Sequence, residues 1–194
     1  MFMINSEVET LKKRKNVYLI GFMGVGKTAV ARTIARKLHM TFIDSDREIK
    51  AKAGQSIEAI FNEENGEARF RKLEREFIEE GHPDYNCIVA CGGGLPIAEG
   101  ILDLLKSRGV VFALFAKTST IHQRTDRRSV RPLLMVEDKE KRINELLERR
   151  QHIYTQAHHL IFSEGRPVEA VACDIMRIYV AQERREKRHQ NRDR

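Results

Sequence analysis

The chain has 194 residues, of which 41% are hydrophobic and 32% are charged, and its formal net charge is +7. This length suits a single domain with a sizeable core, and no run approaches the roughly 20 apolar residues of a membrane span, which argues against a membrane protein. The first 15 residues lack the uninterrupted apolar segment of a secretion signal, so we expect a soluble, cytoplasmic protein.

The first predicted strand starts at Asn16 and runs into a glycine-rich turn that opens a helix. The turn fills the spacing GxxxxGK[ST] with Gly21, Gly24, Gly26, Lys27 and Thr28. At this spacing backbone N–H groups converge on a polyphosphate, Lys27 adds a positive charge, and the Thr28 hydroxyl can ligate Mg²⁺. A glycine-rich turn that binds nothing is the alternative, but the strand before it and the helix after it favour nucleoside triphosphate binding.

The second predicted strand, Thr41 to Ile43, ends at two carboxylates, Asp44 and Asp46. The end of a parallel strand is where doubly wound folds place their ligands. In an extended chain the two side chains would point the same way, but irregular backbone after Ile43 would separate them. One carboxylate could then hold a metal ion while the other meets the substrate.

Two helical patterns follow, one over Ile57–Phe61 with Ser56 as its cap and one from about Gly66. On the second helix Arg71 lies beside the apolar stripe, and Glu74 lies one turn later, where it can brace the guanidinium. The pattern alone favours an ordinary surface ion pair.

The next predicted strand, Cys87–Cys91, runs directly into Gly92, Gly93 and Gly94. Three glycines in series cost backbone entropy, which indicates that another group comes close to the main chain there, although a plain tight turn is an alternative. The sequence has three cysteines, an odd number, and we interpret Cys87, Cys91 and Cys173 as small buried hydrophobic residues without a metal or redox role.

A short helix over Ile97–Lys106 and a long apolar strand over Val110–Ala116 come next, and a helix from about Thr118 leads into an arginine-rich segment. Residues 124–131 have no apolar periodicity and read in isolation as a solvated loop. Beside a triphosphate site, the same segment indicates a mobile lid over about residues 124–137.

The remaining predicted elements are a helix over 138–157, a strand over Leu160–Phe162 and a last helix that opens at Pro167. The pair His158 and His159 lacks a third ligand at useful spacing, so a metal site there is disfavoured. Because strands and helices alternate, the sequence predicts an α/β fold with a five-stranded parallel sheet, helices on both faces and right-handed crossovers.

The positive charge lies mainly at the ends of the chain. Residues 183–194 hold six basic and three acidic residues, and residues 1–16 hold four basic and two acidic residues. Such runs are typical of solvated tails, so we expect no nucleic-acid partner. We predict an N-terminal extension over 1–15, one domain over 16–182 and a charged C-terminal tail over 183–194.

Among phosphate-loop proteins, a GTPase is disfavoured because NKxD and DxxG elements are missing, and a motor is disfavoured by the length of the chain. A small-molecule kinase remains. The sequence resembles the shikimate kinase family across nearly its whole length, through GFMGVGKT, FIDSD, SIEAIF, FRKLE, CGGG, RTDRRSVRPLL and ERRQHIY, in that order. The resemblance implies a nucleoside monophosphate kinase-like fold and transfer of the ATP γ-phosphoryl group to the 3-hydroxyl of shikimate, on the route to chorismate and the aromatic amino acids.

The resemblance also implies roles for individual residues. The implied nucleotide contacts are Gly24, Val25, Gly26, Lys27, Thr28, Ala29, Arg124 and Arg131, with Gly165–Pro167 bordering the base. Thr28 and Asp44 are the implied Mg²⁺ residues. The implied shikimate contacts are Asp46, Arg71, Gly93 and Arg150, and the implied catalytic residues are Lys27, Asp46 and Arg131. We expect a monomer that acts on ATP and a small molecule.

Two alternatives stay open at this point. One is another small-molecule kinase of similar build, such as a gluconate kinase. The other is a non-catalytic relative that binds nucleotide or a partner, although no gap is visible among the implied phosphate, metal and hydroxyl contacts.

Overall fold

The computed structural model of the protein describes residues 13–126 and 138–190. Within these ranges the strands are β1 Asn16–Gly21, β2 Thr41–Asp44, β3 Cys87–Ala90, β4 Gly109–Phe115 and β5 His159–Phe162. The helices are α1 Lys27–Leu38, α2 Ser45–Ala53, α3 Ile57–Phe61, α4 Gly66–Glu80, α5 Ile101–Arg108, α6 Thr118–Asp126, α7 Lys139–Tyr154 and α8 Val168–Gln190, with a 3₁₀ turn over Leu95–Ile97.

The five strands form one sheet in the order β2-β3-β1-β4-β5, and every neighbouring pair is parallel. Successive side chains of a strand point to opposite faces, and Val17, Tyr18, Leu19 and Ile20 of β1 are all fully buried. The central strand is therefore covered on both faces, as the continuous apolar runs predicted. The α/β fold with a five-stranded parallel sheet is confirmed, and the carboxyl ends of its strands share one edge.

Helix α2 was not predicted. The backbone turns helical at Ser45, immediately after β2, and the Asp44 side chain caps the new helix by accepting a hydrogen bond from the Arg47 backbone N–H at 3.4 Å. The helix buries only Ser45 and Ile49, so its apolar pattern is too sparse for periodicity to reveal. The expectation of irregular backbone after Ile43 is wrong, because the chain turns directly into a helix. Asp44 is the N-cap residue of this helix, and Asp46 lies in its first turn.

The last helix extends into the segment predicted as a tail, since α8 continues to Gln190. Lys15 packs on this helix from the other end of the chain. Its carbonyl accepts a 2.7 Å hydrogen bond from Tyr179 Oη, and its ammonium lies 2.9 Å from a Glu186 carboxylate oxygen.

In the described parts of the chain, no helix has both the length and the apolar character needed to cross a bilayer.

Two of the three cysteines are buried as predicted. Cys87 and Cys91 are 1% and 2% exposed, whereas Cys173 is exposed, so the prediction for that residue is wrong. The buried stripe of α8 runs through Val171, Ala172, Ile175 and Tyr179, and position 173 lies off it.

The two adjacent histidines each have a packing partner. His158 Nδ1 accepts a 3.1 Å hydrogen bond from the Val111 backbone N–H, and the His159 ring stacks on Phe112 with a centroid distance of 4.9 Å. Among the described residues there is no group of three or more side chains that could hold a metal ion through His, Cys, Asp and Glu.

Candidate active site

The glycine-rich turn connects β1 to α1 at the carboxyl edge of the sheet. Gly24 and Gly26 have φ angles of +82° and +101°, in the left-handed region that favours glycine. Gly26 is the N-cap residue of α1 and makes no side-chain cap, so the first turn of the helix presents its backbone N–H groups at a positive helix end. This arrangement suits a phosphate group.

Lys27 lies at the start of α1 and folds back along the turn. Its Nζ donates hydrogen bonds to the backbone oxygens of Gly21 at 2.8 Å and Phe22 at 2.9 Å. The ammonium group is therefore held beside the glycine-rich turn, at the edge of the sheet where the predicted triphosphate site lies.

Ser163, just after β5, supports the turn from below. It is 4% exposed, and its hydroxyl lies within hydrogen-bond distance of the backbone oxygens of Val25 at 3.0 Å and Phe115 at 3.1 Å. Sequence analysis missed this residue, because a single serine after a strand carries no pattern.

Thr28 and Asp44 face each other across the ends of α1 and β2. Thr28 Oγ1 donates a 3.2 Å hydrogen bond to Asp44 Oδ2, while the other carboxylate oxygen of Asp44 caps α2. A hydroxyl and a carboxylate are the oxygen donors that Mg²⁺ prefers, and Mg²⁺ keeps several waters in such sites. The donor set fits the predicted ion.

A small cavity of about 70 Å³ joins the phosphate turn to the two carboxylates and the glycine triplet. The predicted residues on its wall are Gly24, Gly26, Lys27, Thr28, Ala29, Asp44, Asp46 and Gly93. Residues separated by more than 60 positions in the chain thus share one cavity because the strands that carry them end at the same edge.

Each glycine of the triplet lies against another part of the site. A Cβ built on Gly92 would overlap Oδ1 of Asp46, and a Cβ on Gly94 would lie 2.7 Å from Nη1 of Arg71. A Cβ on Gly93 would lie 3.4 Å from the Met23 backbone nitrogen in the phosphate turn. The prediction that other groups approach the main chain here is confirmed, so the triplet is more than a plain tight turn.

Arg71 is braced by a buried carboxylate. Nη1 of Arg71 lies 2.6 Å from Oε2 of Glu74, and the Glu74 side chain is only 1% exposed. The pattern-based interpretation as a surface ion pair is therefore wrong. Two residues three positions apart on a helix do not reveal which face of the helix is covered. Here Gly94 lies against Arg71, and α2 packs against α4.

Burial raises the pKa of Glu74 to about 7, although the Arg71 charge opposes the shift. The negative charge of Asp46 raises this pKa further, and the positive charge of Arg150 lowers it. Arg150 itself is 8% exposed on α7. Asp46, Arg71, Glu74 and Arg150 are thus close enough to act on one another electrostatically.

Two hydroxyl groups hold the glycine triplet in place, and neither was predicted. Ser45 Oγ accepts a 2.8 Å hydrogen bond from the Gly92 N–H, and Tyr154 Oη donates a 2.6 Å hydrogen bond to the Gly93 oxygen. Ser45 and Tyr154 are 0% and 1% exposed. In the sequence, only their proximity to a predicted site residue points to them: Ser45 is next to Asp46, and Tyr154 lies one helical turn after Arg150.

On the other side of the phosphate turn lies a second cavity, of about 430 Å³. Arg124 lies on its wall and donates from Nη1 to the Gly24 oxygen at 3.2 Å, which places it beside the turn. Arg166, between β5 and α8, also lies on this wall, and its Nη2 is 2.5 Å from Oδ2 of Asp174. Arg131 and residues 127–137 of the predicted lid lie outside the described residues.

The comparisons with known proteins agree with this geometry. The family model for shikimate kinase matches residues 23–179. A shikimate kinase of Thermodesulfovibrio yellowstonii is 41% identical over 165 residues, which cover 85% of this chain and 95% of that protein. The chain belongs to the shikimate kinase family.

A solved shikimate kinase from Acinetobacter baumannii, in complex with shikimate, has a TM-score of 0.82 at 35% identity and covers 87% of this chain and 94% of that one. A gluconokinase from Sinorhizobium meliloti has a TM-score of 0.58 at 14% identity, covering 91% of this chain and 97% of that one. The gluconokinase shares the fold alone, so the family membership favours shikimate kinase over the gluconate alternative.

Proposed function

We propose that this shikimate kinase family member transfers the γ-phosphoryl group of ATP to the 3-hydroxyl of shikimate. The new bond joins the substrate oxygen to the γ-phosphorus, the bond between that phosphorus and the β–γ bridging oxygen breaks, and ADP leaves. The observation that carries the proposal is the meeting of a phosphate turn, a carboxylate and two arginines, Arg71 and Arg150, at one edge of the sheet.

The substrate side of the proposal follows from charge and hydrogen bonding. Shikimate carries one carboxylate and three hydroxyls, so it needs guanidinium forks at one end and a carboxylate acceptor at the other. We assign the first task to Arg71 and Arg150, with the Gly93 amide beside them, and the second to Asp46. Asp46 then orients the 3-hydroxyl and takes its proton late in the reaction.

The nucleotide side uses the phosphate turn. Phosphoryl transfer depends mainly on alignment and on positive charge around the migrating group. Lys27 supplies such a charge once it leaves the Gly21 and Phe22 oxygens for the phosphates, and we assign Arg131 the same task. Arg124 and the segment 165–167 border the base in this proposal.

We further propose that Thr28 and Asp44 hold Mg²⁺, Asp44 through water. When bound, the ion neutralises phosphate charge. A monomeric state and a cytoplasmic location complete the proposal.

An assay of ADP release tests the function directly. Purified protein with Mg²⁺ and ATP should release ADP when shikimate is added and should not when gluconate is added. Release with gluconate alone would favour the gluconate alternative. ATP binding without turnover of either acid would favour a non-catalytic relative.

A further inference from the structure

Each peptide plane of the glycine triplet makes at least one hydrogen bond. The Gly92 N–H donates to Ser45 Oγ, and the Gly92 oxygen accepts from the Leu95 N–H at 3.1 Å. The Gly94 oxygen accepts from the Ile97 N–H at 3.1 Å. Between them, the peptide that joins Gly93 to Gly94 is held through its oxygen by Tyr154.

This peptide needs such a restraint. It is flanked by two residues without Cβ, and glycine visits a wide range of φ and ψ, so rotation of the Gly93–Gly94 plane meets little steric resistance. Because the peptide is planar and trans, a fixed oxygen also fixes the opposite direction of the Gly94 N–H. The hydrogen bond from the Tyr154 hydroxyl therefore fixes the direction of the Gly94 N–H.

Tyr154 also connects the triplet to Arg150. The two residues lie four apart on α7, where side chains are neighbours on the helix surface, and both are buried. The tyrosine thus ties the helix that carries a substrate arginine to the backbone donors on β3's carboxyl side. Burial raises the pKa of Tyr154 to about 12 against the lowering effect of Arg150, so the hydroxyl stays a proton donor throughout the neutral range.

We infer that Tyr154 is a positioning residue for the acidic substrate, because its hydroxyl fixes the orientation of the Gly93–Gly94 peptide and the spacing between that peptide and Arg150. This inference rests on the proposed function of the site. Tyr154 acts through the triplet and Arg150, and its hydroxyl is already committed to the Gly93 oxygen.

The chain offers a matched control in Tyr179. Tyr179 lies on α8 and is 0% exposed. Its hydroxyl donates a 2.7 Å hydrogen bond to the oxygen of Lys15, next to the amino end of β1, and lies 3.2 Å from Glu183 Oε1. Tyr154→Phe and Tyr179→Phe each remove one buried hydroxyl from a backbone oxygen, so we expect similar small losses of stability. Only the first should change substrate binding.

The test is a steady-state comparison of the two variants with the wild-type protein. Tyr154→Phe should raise the KM for shikimate by about tenfold, the size expected when one buried hydrogen bond is lost, and leave the KM for ATP unchanged. Tyr179→Phe should leave both KM values unchanged. Equal changes in the two KM values, or a shikimate KM that Tyr154→Phe does not alter, would overturn the inference.

A measurement on the wild-type protein covers the case in which Tyr154→Phe does not fold. With ¹⁵N-labelled glycine, addition of shikimate should shift the amide resonances of Gly93 and Gly94 and leave that of Gly54, at the distal end of α2, in place. Unmoved Gly93 and Gly94 resonances would overturn the inference. A wild-type protein without shikimate-dependent ADP release would instead overturn the proposed function on which the inference rests.

Discussion

Among the residues proposed to bind the substrate, Arg150 is the one whose removal should have the clearest effect. It is 8% exposed, and its charge reaches the Glu74 carboxylate inside the site. Arg150→Ala should weaken shikimate binding by about 2 kcal/mol, roughly 30-fold, because a buried charge-assisted interaction is lost. Arg149→Ala is the control, since Arg149 is the exposed neighbour on the same helix. Equal affinity in the wild-type protein and Arg150→Ala, measured by calorimetry, would remove Arg150 from the site.

Glu74 gives the site a pH-dependent stability. Its pKa rises from 4.5 in the unfolded chain to about 7 in the folded protein, mainly because of burial. The folded state then binds the proton more tightly than the unfolded state. The stabilising contribution is therefore complete below pH 4.5 and is lost as the pH rises through about 7.

Glu74→Gln removes this titration and keeps the shape of the side chain. We expect the free energy of unfolding of the wild-type protein, relative to that of Glu74→Gln, to fall between pH 5 and pH 8. Urea unfolding of both proteins at the two pH values measures the change, and other titrating groups cancel in the difference. A constant difference would show that Glu74 ionises in the folded protein as it does in water, and a difference that rises with pH would show that folding lowers its pKa.

The sequence could propose residues for the site but could not describe their surroundings. Arg71, Asp46 and Arg150 lie in motifs that carry the family resemblance, and the resemblance alone proposed them as substrate contacts. The burial of Glu74 could not be predicted, because it depends on groups from other parts of the chain; the charges of Asp46 on α2 and Arg150 on α7 both act on its carboxyl. Ser45 and Tyr154 were missed for the same reason.

At the level of elements, the glycine triplet leaves room for two residues that we propose bind the substrate, and a methyl group on Gly92 or Gly94 would fill that room. Gly92 has a φ outside the left-handed region and Gly94 has a φ of −92°, so alanine is compatible with the backbone at both positions. The atoms that an added Cβ would meet are the ends of two side chains, Asp46 and Arg71. Either substitution should therefore move a functional group and preserve the fold.

The two alanine variants should have different kinetic effects. Gly92→Ala should lower kcat by about 100-fold, because Asp46 is displaced from the reacting hydroxyl. Gly94→Ala should chiefly raise the KM for shikimate, by about tenfold, because Arg71 is displaced. Steady-state kinetics and melting curves measure both effects. A markedly lower melting temperature of either variant, or a change of the same kinetic parameter in both, would contradict the prediction. The glycines would then not serve separately to make room for Asp46 and for Arg71.

Periodicity was sufficient for the elements of the core and insufficient for the short elements at its edge. The strands β1 and β4 are buried on both faces, so their apolar runs were plain in the sequence. Helix α2 buries only two residues. The Asp44 cap and the acidic residues in its first turn stabilise it, but they predict a helix from sequence only weakly. Helix α8 extends further than predicted, because a run of charged residues is compatible with a helix as well as with a solvated tail.

At the scale of the whole molecule, the site is assembled only when the sheet is formed, so ligands of the site should stabilise the entire fold. Lys27, Asp46, Arg71 and Arg150 belong to α1, α2, α4 and α7, and their positions depend on packing against common strands. A ligand that binds the folded state alone stabilises it by about 2.7 kcal/mol at 100 times its Kd. For a chain of this size, this corresponds to a rise in Tm of roughly 5–10 °C.

We therefore expect ATP with Mg²⁺, and shikimate separately, to raise the Tm of the wild-type protein. Lys27→Ala should lose most of the shift with ATP and keep the shift with shikimate, because the lysine is proposed to contact the phosphates alone. Lys37→Ala, at the exposed end of the same helix, should keep both shifts and serves as the control. Replacing Mg²⁺ by EDTA should reduce the ATP shift in the wild-type protein, since Thr28 and Asp44 would lack the ion that links them to the nucleotide. An ATP shift that survives in Lys27→Ala would mean that the nucleotide binds elsewhere on the molecule, and the phosphate turn would then no longer explain the proposed reaction.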